Sequence, residues 1–321
     1  MKKIVSLFLV LLTALSFFVS CSKNDDKQKI SVGYLAGPTG MGLAKLIDLT
    51  PKDSEKYAFL PYTDPNNAIP DLISGTIDMA CMPTNAAANL YNKGKDISVI
   101  AVNTLGSLYV IADKNTNIKN ISDLEGKTVH ASVPGSTTKP ILDFILKENG
   151  VSASVVVESQ THEDLIKEVK NSNGTMIAVL PEPKVSATLM QTSNYEVKLN
   201  LSEEWSKISD QPLAMGCIVA RNDFLKAHPT AVSSFLKDYK ASVDYIAKAD
   251  NRQQAAQVIV QLGIIPKLPL ATSALKNLEG SFVLITGHEM KTTLSKFYDV
   301  LLSSSPESIG GKKPLRDFYY E

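Results

Sequence analysis

Short loops of glycine, proline, hydroxyl and amide residues recur where the sequence predicts a strand to end and a helix to begin. In the first of them, residues 30–35 alternate as in a buried strand, Gly37-Pro38-Thr39-Gly40 breaks the alternation, and a helical period follows. A loop of this kind presents unpaired backbone N–H groups to whatever lies above it. Together with small hydroxyls, these groups bind a neutral or anionic small molecule, but they supply no nucleophile or base.

Four later stretches repeat this chemistry. Pro83-Thr84-Asn85 and Asn103-Thr104 each follow a predicted strand, and Pro134-Gly135-Ser136-Thr137-Thr138 repeats the opening strand–loop–helix architecture. The fourth stretch is L-P-E-P at 180–183, again after a predicted strand. Because the carboxyl ends of parallel strands meet at one edge of a sheet, where open α/β folds bind ligands, these loops are expected to lie together.

The sequence therefore predicts one ligand site, which also takes in a tyrosine after the second strand and a methionine on a later strand. The predicted site residues are Gly37, Pro38, Thr39, Gly40, Tyr62, Thr84, Asn85, Asn103, Thr104, Gly135, Ser136, Thr137, Thr138, Glu182 and Met215. The alternative for each loop is an ordinary strand–helix turn, in which Ser136 or Thr137 only caps a helix and Glu182 is solvated or caps the helix predicted at 184–191. No catalytic residue, cofactor or metal ligand is predicted.

Composition is that of a globular protein long enough for two domains of ordinary size. The chain has 33 Lys and Arg against 33 Asp and Glu, for a net charge of +0, and no basic stripe, which argues against nucleic-acid binding. Apart from Cys21, only Cys81 and Cys217 are present, too few for a disulfide framework. Both are predicted as buried free thiols, with an unusual cross-strand disulfide as the alternative.

The first twenty residues have the pattern of an export signal. A basic start at Lys2 and Lys3 precedes an apolar run at 4–19, and Ser20-Cys21 follows. This junction resembles a bacterial lipobox, with Phe18 where lipoboxes usually carry leucine, and the resemblance implies lipidation of Cys21. The alternatives are an uncleaved anchor or an ordinary signal peptide. Residues 21–29 are predicted as a polar tether.

Several motifs occur in a fixed order along the rest of the chain. G-Y-x-A-G-P-T-G-M begins at Gly33, S-G-T-I-D-M-A at Ser74 and P-T-N at Pro83, and D-L-x-G-K-x-V begins at Asp123 before L-P-E-P. In this order and spacing they resemble the NMT1/THI5-like solute-binding proteins of ABC importers of the nitrate/taurine type.

The resemblance implies a type II periplasmic-binding fold, an α/β fold of two lobes that each contain a mostly parallel sheet flanked by helices. Lobe 1 would comprise residues 30–112 and 218–321, and lobe 2 residues 113–217. Two crossings, near 112–114 and 213–217, would form the hinge.

The function that the resemblance implies is capture of a small solute between the lobes and its delivery to a permease and an ATPase. The protein would be a monomer, held to the membrane by a lipid anchor and facing the periplasm or the exterior. Glu182 would accept hydrogen bonds from a ligand amine or hydroxyl, or hold the closed cleft.

The alternative function is an enzyme on the same fold, of the type that makes menaquinone or thiamine precursors. The four histidines show no metal-ligand spacing, and no G-x-S-x-G motif is present, both of which argue against an enzyme.

The class of solute is left open between two alternatives. Arginine occurs only at Arg221, Arg252 and Arg316, outside the predicted loops, so no bidentate clamp for a sulfonate or carboxylate is evident. Ring faces from Tyr34, Tyr62 and Tyr109 would favour an aromatic or heterocyclic solute such as a vitamin precursor. Helix N-termini alone can bind an anion, so a sulfonate or nitrate is the alternative. The single tryptophan is predicted to lie in the core rather than at the cleft edge.

Overall fold

The computed structural model describes residues 29–321. The predicted export signal at 1–20, the predicted lipidation site Cys21 and residues 22–28 of the predicted tether lie outside the described residues. No helix among residues 29–321 combines the length and apolar character that crossing a membrane requires.

Eleven strands and thirteen α-helices make up the described chain. The strands are β1 (Ile30–Leu35), β2 (Tyr57–Tyr62), β3 (Met79–Pro83), β4 (Ile97–Leu105), β5 (Leu108–Asp113), β6 (Thr128–Ser132), β7 (Ser154–Ser159), β8 (Ile177–Pro181), β9 (Tyr195–Asn200), β10 (Ala214–Arg221) and β11 (Phe282–Ile285). The helices are α1 (Pro38–Met41), α2 (Ala44–Leu49), α3 (Pro65–Ser74), α4 (Thr84–Asn92), α5 (Thr138–Glu148), α6 (His162–Asn171), α7 (Lys184–Leu189), α8 (Leu201–Ser206), α9 (Asn222–Ala227), α10 (Pro229–Ala247), α11 (Arg252–Gln261), α12 (Leu268–Asn277) and α13 (Gly287–Ser304). Short 3₁₀ turns lie at Ile121–Leu124, Ala249–Asn251, Pro306–Ile309 and Arg316–Phe318.

The strands form two separate sheets. The first has the order β11-β4-β10-β3-β1-β2, and the second has the order β7-β6-β8-β5-β9. Parallel pairs join β1 to β2 and β3, and β6 to β7 and β8. Antiparallel pairs are added by β10, β11 and β5, so both sheets are mixed. The predicted two-lobed α/β fold is confirmed, but the sheets are not mostly parallel as predicted, because the returning strands β5 and β10 each pair antiparallel on both sides. The elements around each sheet are called the first and second lobe below.

The chain passes between the lobes twice. The first passage is the two-residue turn Gly106-Ser107 between β4 and β5, and the second is 207–213, between α8 and β10. The sequence placed the first passage near 112–114, but β5 pairs with β8 and β9 and so belongs to the second sheet. Similarly, β10 belongs to the first sheet from Ala214 onward. Sequence pattern missed this because β4 and β5 are both apolar and extended.

Local signals explain why α3 begins and ends where it does. The Asp64 side chain accepts a hydrogen bond from the backbone N–H of Asn66 at 2.7 Å, and proline occupies the first helical position. The helix ends at Gly75, whose φ of 84° is a left-handed conformation that favours glycine. The result is a helix whose N-terminus lies beside the end of β2.

The C-terminal helix α13 connects the cores of the two lobes. It packs against α5 of the second lobe, and the Phe297 ring lies 6.0 Å from that of Trp205. The Trp205 ring also packs at a tilt against that of Phe144, with 5.2 Å between centroids, and Trp205 is only 1% exposed, which confirms the prediction that it lies in the core.

The two described cysteines are free and buried on neighbouring strands. Cys81 lies opposite Ile218, and Cys217 lies opposite Met82, in the antiparallel β3–β10 pair. Since side chains alternate between faces along a strand, the two thiols point to opposite faces of the sheet. They accordingly belong to different core clusters, and a cross-strand disulfide is excluded by this geometry.

Candidate ligand-binding cleft

A cleft of about 530 Å³ lies between the lobes, at the carboxyl ends of strands from both sheets. The first lobe contributes the ends of β1 and β3 and the beginning of α3. The second lobe contributes the loop after β6 and the end of β8. The cleft therefore lies where ligands bind in open α/β folds.

Most of the residues predicted from the loops line this cleft. They are Gly37, Pro38, Thr39, Asn85, Thr104, Gly135, Ser136, Thr137, Thr138, Glu182 and Met215. They come from separate parts of the chain, so the topology brings together loops that the sequence could only place at strand ends. Contact with a ligand stays a prediction for each of them.

Four other predicted residues do not line the cleft. Gly40 lies inside α1, where an added Cβ would come within 2.1 Å of the Leu35 carbonyl oxygen. The Tyr62 hydroxyl donates to Asp71 Oδ2 at 2.6 Å, behind the cleft wall. The other two, Thr84 and Asn103, hold elements of the cleft in place.

Thr84 and Asn103 use their polar groups on the backbone of neighbouring elements. Thr84 Oγ1 donates to the Ala214 carbonyl at 2.9 Å, so it ties α4 to β10 and does not cap the helix that it begins. Asn103 is fully buried, and its amide donates to the Thr39 carbonyl at 3.0 Å. Both residues therefore hold the elements that form the cleft. This role depends on tertiary contacts, so the local sequence does not indicate it.

The predicted aromatic faces are absent from the cleft. Tyr34 and Tyr109 are buried, and Tyr62 packs outside the wall, so no Tyr, Phe or Trp of the described chain lines the cleft. The Tyr109 hydroxyl instead donates to the backbone carbonyl of Asn277, and burial raises its pKa. The tyrosine ring faces that favoured an aromatic solute are therefore not available in the cleft.

Sequence reasoning missed several polar residues of the cleft. Thr63, Asp64 and Asn66 lie around the start of α3, and Ser107 lies in the first passage between the lobes. The dipeptide Asp64-Pro65 is itself a helix-start signal and could have located the first group. Ser107 carried no such signal.

The helices that begin at the cleft differ in how their N-termini are capped. Asp64 caps α3, and Thr161 caps α6 by accepting from the Asp164 N–H at 3.1 Å. In contrast, α4 and α5 have no side-chain cap, which leaves backbone N–H groups for other acceptors. These two helices, one from each lobe, can donate to a carbonyl or anionic oxygen of a ligand.

Glu182 is the most buried carboxyl group on the cleft wall, with 2% of its surface exposed. Its Oε1 accepts hydrogen bonds from the Asn277 amide and from Ser186 Oγ at 3.0 Å. Burial raises its pKa, and these hydrogen bonds oppose the shift. Within residues 29–321, no lysine or arginine forms an ion pair with it.

The basic groups of the cleft are both engaged. His162 Nδ1 lies 2.7 Å from Ser132 Oγ, and burial, with the nearby Lys184 ammonium, lowers the histidine pKa. Lys184 itself forms an ion pair with Glu163. Among the described residues of the wall there is no arginine. In residues 29–321, no group of three or more His, Cys, Asp or Glu side chains is arranged to hold a metal ion.

Comparison with known proteins gives one family match. The model of the family described as NMT1/THI5 like matches residues 56–252, more than half of the chain. No curated protein sequence matches the chain.

Many solved structures are similar to this one. An ABC transporter from Parabacteroides distasonis aligns with a TM-score of 0.77 at 20% identity, over 92% of this chain and 99% of that one. The periplasmic aliphatic sulphonate binding protein SsuA from Escherichia coli aligns at 0.74 and 18% identity, over 92% of each chain. The periplasmic nitrate-binding protein NrtA from Synechocystis aligns at 0.61 and 14% identity, over 88% of this chain and 84% of that one. At these identities the likeness establishes the fold.

Proposed function

The chain belongs to the NMT1/THI5-like family, and from this premise we propose that it is the extracytoplasmic solute-binding component of an ABC importer. The observation that carries the proposal is the interlobe cleft, lined by loops from both sheets and faced by uncapped helix N-termini from both lobes. Such a site binds a small solute by closing around it and does not change it chemically.

Closure would use the two passages between the lobes. Gly106-Ser107 is short and contributes Ser107 to the cleft, so a bend there changes the width of the site directly. Solute that contacts both lobes favours the closed arrangement over the open one, which is a population shift. On the first lobe Thr39 and Asn85 provide polar contacts, and on the second the 135–138 loop provides them.

Delivery of the solute requires separate subunits. The sequence has no G-x-x-x-x-G-K-[S/T] loop for ATP, and no helix of residues 29–321 spans a membrane. The proposed partners are therefore a permease and an ATPase. The names of similar structures, an ABC transporter and two periplasmic binding proteins, support this assignment.

The proposed location is the outer face of a membrane, with Cys21 lipidated and residues 22–29 as the tether. The proposal has its own test, because Cys21→Ala should release the protein from the membrane fraction. Protein that stays in that fraction unchanged would contradict lipidation at Cys21.

A thermal-shift panel tests solute binding on the chain from Ser22 onward, which keeps every described residue. The panel pairs nitrate, alkanesulfonates and carboxylates with amines, amides and nitrogen heterocycles. A solute at 100 times its dissociation constant stabilises the fold by about 2.7 kcal/mol. We expect one class to stabilise the protein and Thr39→Ala or Thr137→Ala to weaken that effect. Thr116→Ala, at a position that does not line the cleft, should leave the effect unchanged.

A further inference from the structure

The charges on the cleft wall are acidic in balance. Asp64 and Glu182 supply two carboxyl groups. The basic residues of the wall are Lys184 and His162. Lys184 is ion paired with Glu163, and burial lowers the pKa of His162. An anion entering this cleft meets no arginine and no unpaired lysine among the described residues of the wall.

Glu182 is the buried member of this set and its two oxygens are used unequally. Oε1 receives the Asn277 amide and the Ser186 hydroxyl. Oε2 receives only the backbone N–H of Ser186, at a long 3.4 Å. Since a carboxylate has about four acceptor positions, Oε2 retains capacity for a further donor.

Burying a carboxylate without a neighbouring cation costs free energy. This free-energy cost falls when a hydrogen-bond donor or a positive charge lies beside the carboxylate. A solute with an N–H group supplies such a donor in the cleft. A nitrate or a simple sulfonate supplies another negative charge in a partly desolvated site, where repulsion is stronger than in water.

Building on the proposed function, we propose that the solute carries no net negative charge and presents an N–H donor, as an ammonium, amide or ring N–H, to Oε2 of Glu182. Acceptor atoms elsewhere on the same solute take the free backbone N–H groups of α4 and α5. Glu182 is then the residue that determines specificity, and the cleft differs in solute class from the neighbours named for sulphonate and nitrate.

The test divides a bacterial metabolite extract by ion exchange at pH 7 into anionic, neutral and cationic fractions. Melting temperature is measured with each fraction, and with nitrate and ethanesulfonate as defined anions. The proteins are the wild type, Glu182→Gln and the control Glu148→Gln, which changes an exposed carboxylate at the far end of α5. Glutamine keeps an acceptor for Asn277 and replaces the other oxygen by an NH₂ donor.

The neutral or cationic fraction should stabilise the wild type and the Glu148→Gln control. Binding of the solute isolated from that fraction should weaken at least tenfold in Glu182→Gln, as for loss of a hydrogen bond to a charged group. Melting temperatures without solute report on folding of the variant itself.

Stabilisation by the anionic fraction, nitrate or ethanesulfonate, retained in Glu182→Gln, would overturn the inference and leave the solute-binding function standing. Stabilisation by a neutral or cationic solute that binds Glu182→Gln as tightly as wild type would also overturn it. If no fraction stabilises the wild type, the solute-binding function fails, and the inference fails with it.

Discussion

The side-chain amide of Asn277 donates a hydrogen bond to Oε1 of Glu182, from the last residue of α12 in the first lobe to the end of β8 in the second. The backbone carbonyl of the same Asn277 accepts from the Tyr109 hydroxyl on β5. Nearby, the Glu182 N–H donates to the Ser107 carbonyl at 2.8 Å, in the first passage between the lobes. Asn277 of the first lobe is thus bonded to two residues of the second lobe, beside the passage proposed as the hinge.

Asn277→Ala tests this connection. The change removes one of the two side-chain donors to a buried carboxyl group, while the backbone bond to Tyr109 can persist. We expect a loss of about 1–3 kcal/mol in the free energy of unfolding, measured by urea denaturation. The same change at the solvent-exposed Asn67 should cost far less, and equal losses at the two positions would contradict a structural role for the Asn277 amide.

The pH dependence of stability should distinguish Glu182 from Glu163. Burial raises the pKa of Glu182 above its ordinary 4.5, so the folded state keeps this proton to a higher pH than the unfolded state does. Its contribution to stability is complete below about pH 4.5 and falls as the pH rises through the folded pKa. Stability of Glu182→Gln relative to wild type should therefore improve as the pH rises.

Glu163 should behave in the opposite way. The hydrogen bond from Lys184 lowers its pKa, against the effect of burial. Its contribution is present above the ordinary pKa of 4.5 and is lost as the pH falls through the folded pKa. The free energy of unfolding of the wild type should exceed that of Glu163→Gln at neutral pH. The difference should shrink as the solution is made acidic. Urea unfolding of both variants across this range checks the pair, and parallel pH profiles would contradict the assignment.

Gly216 leaves room for the Thr39 loop. A Cβ at this position would lie 2.6 Å from Thr39 Cγ2 and 2.7 Å from Asn103 Oδ1. Gly216→Ala should therefore displace the cleft loop and cost about 1–3 kcal/mol of unfolding free energy, as in overpacked cores. Adding Thr39→Ser removes the nearer methyl group and should recover part of the loss in a double-mutant cycle. Simple additivity of the two changes would show that the contact is not the cause.

The opposed faces of Cys81 and Cys217 predict resistance to oxidation. Burial raises the pKa of the Cys81 thiol to about 12, so its reactive thiolate is scarce. The folded chain from Ser22 onward, treated with copper phenanthroline, should keep both of its thiols free, counted by alkylation in denaturant and mass spectrometry. An internal disulfide formed in the folded state would contradict the β3–β10 register.

The fold could be predicted largely because strand, loop and helix signals alternate along the chain. The glycine and hydroxyl loops at 37–39 and 135–138 carry local signals, and they do line the cleft. Their backbone conformation is encoded by neighbouring residues, so it can be recognised without knowledge of the tertiary structure.

Roles that depend on contacts between distant elements could not be predicted. Thr84 has the sequence context of a helix cap, yet its hydroxyl bonds to Ala214, 130 residues away. Asn103 and Tyr62 look like site residues, but their polar groups are used by Thr39 and Asp71. The passage at Gly106-Ser107 was missed because apolar strands on either side read as continuous structure.

The most direct test of the account is which small molecules the protein retains. Wild type, Ser136→Trp, which fills the cleft, and Gln254→Trp, an exposed position on α11, are equilibrated with a bacterial metabolite extract and desalted. Native mass spectrometry then measures the bound species. We expect one solute per wild-type and Gln254→Trp molecule and less than about a tenth as much on Ser136→Trp, since a stably bound ligand needs an open cleft. Equal retention by Ser136→Trp, or none by the wild type, would contradict solute binding in this cleft.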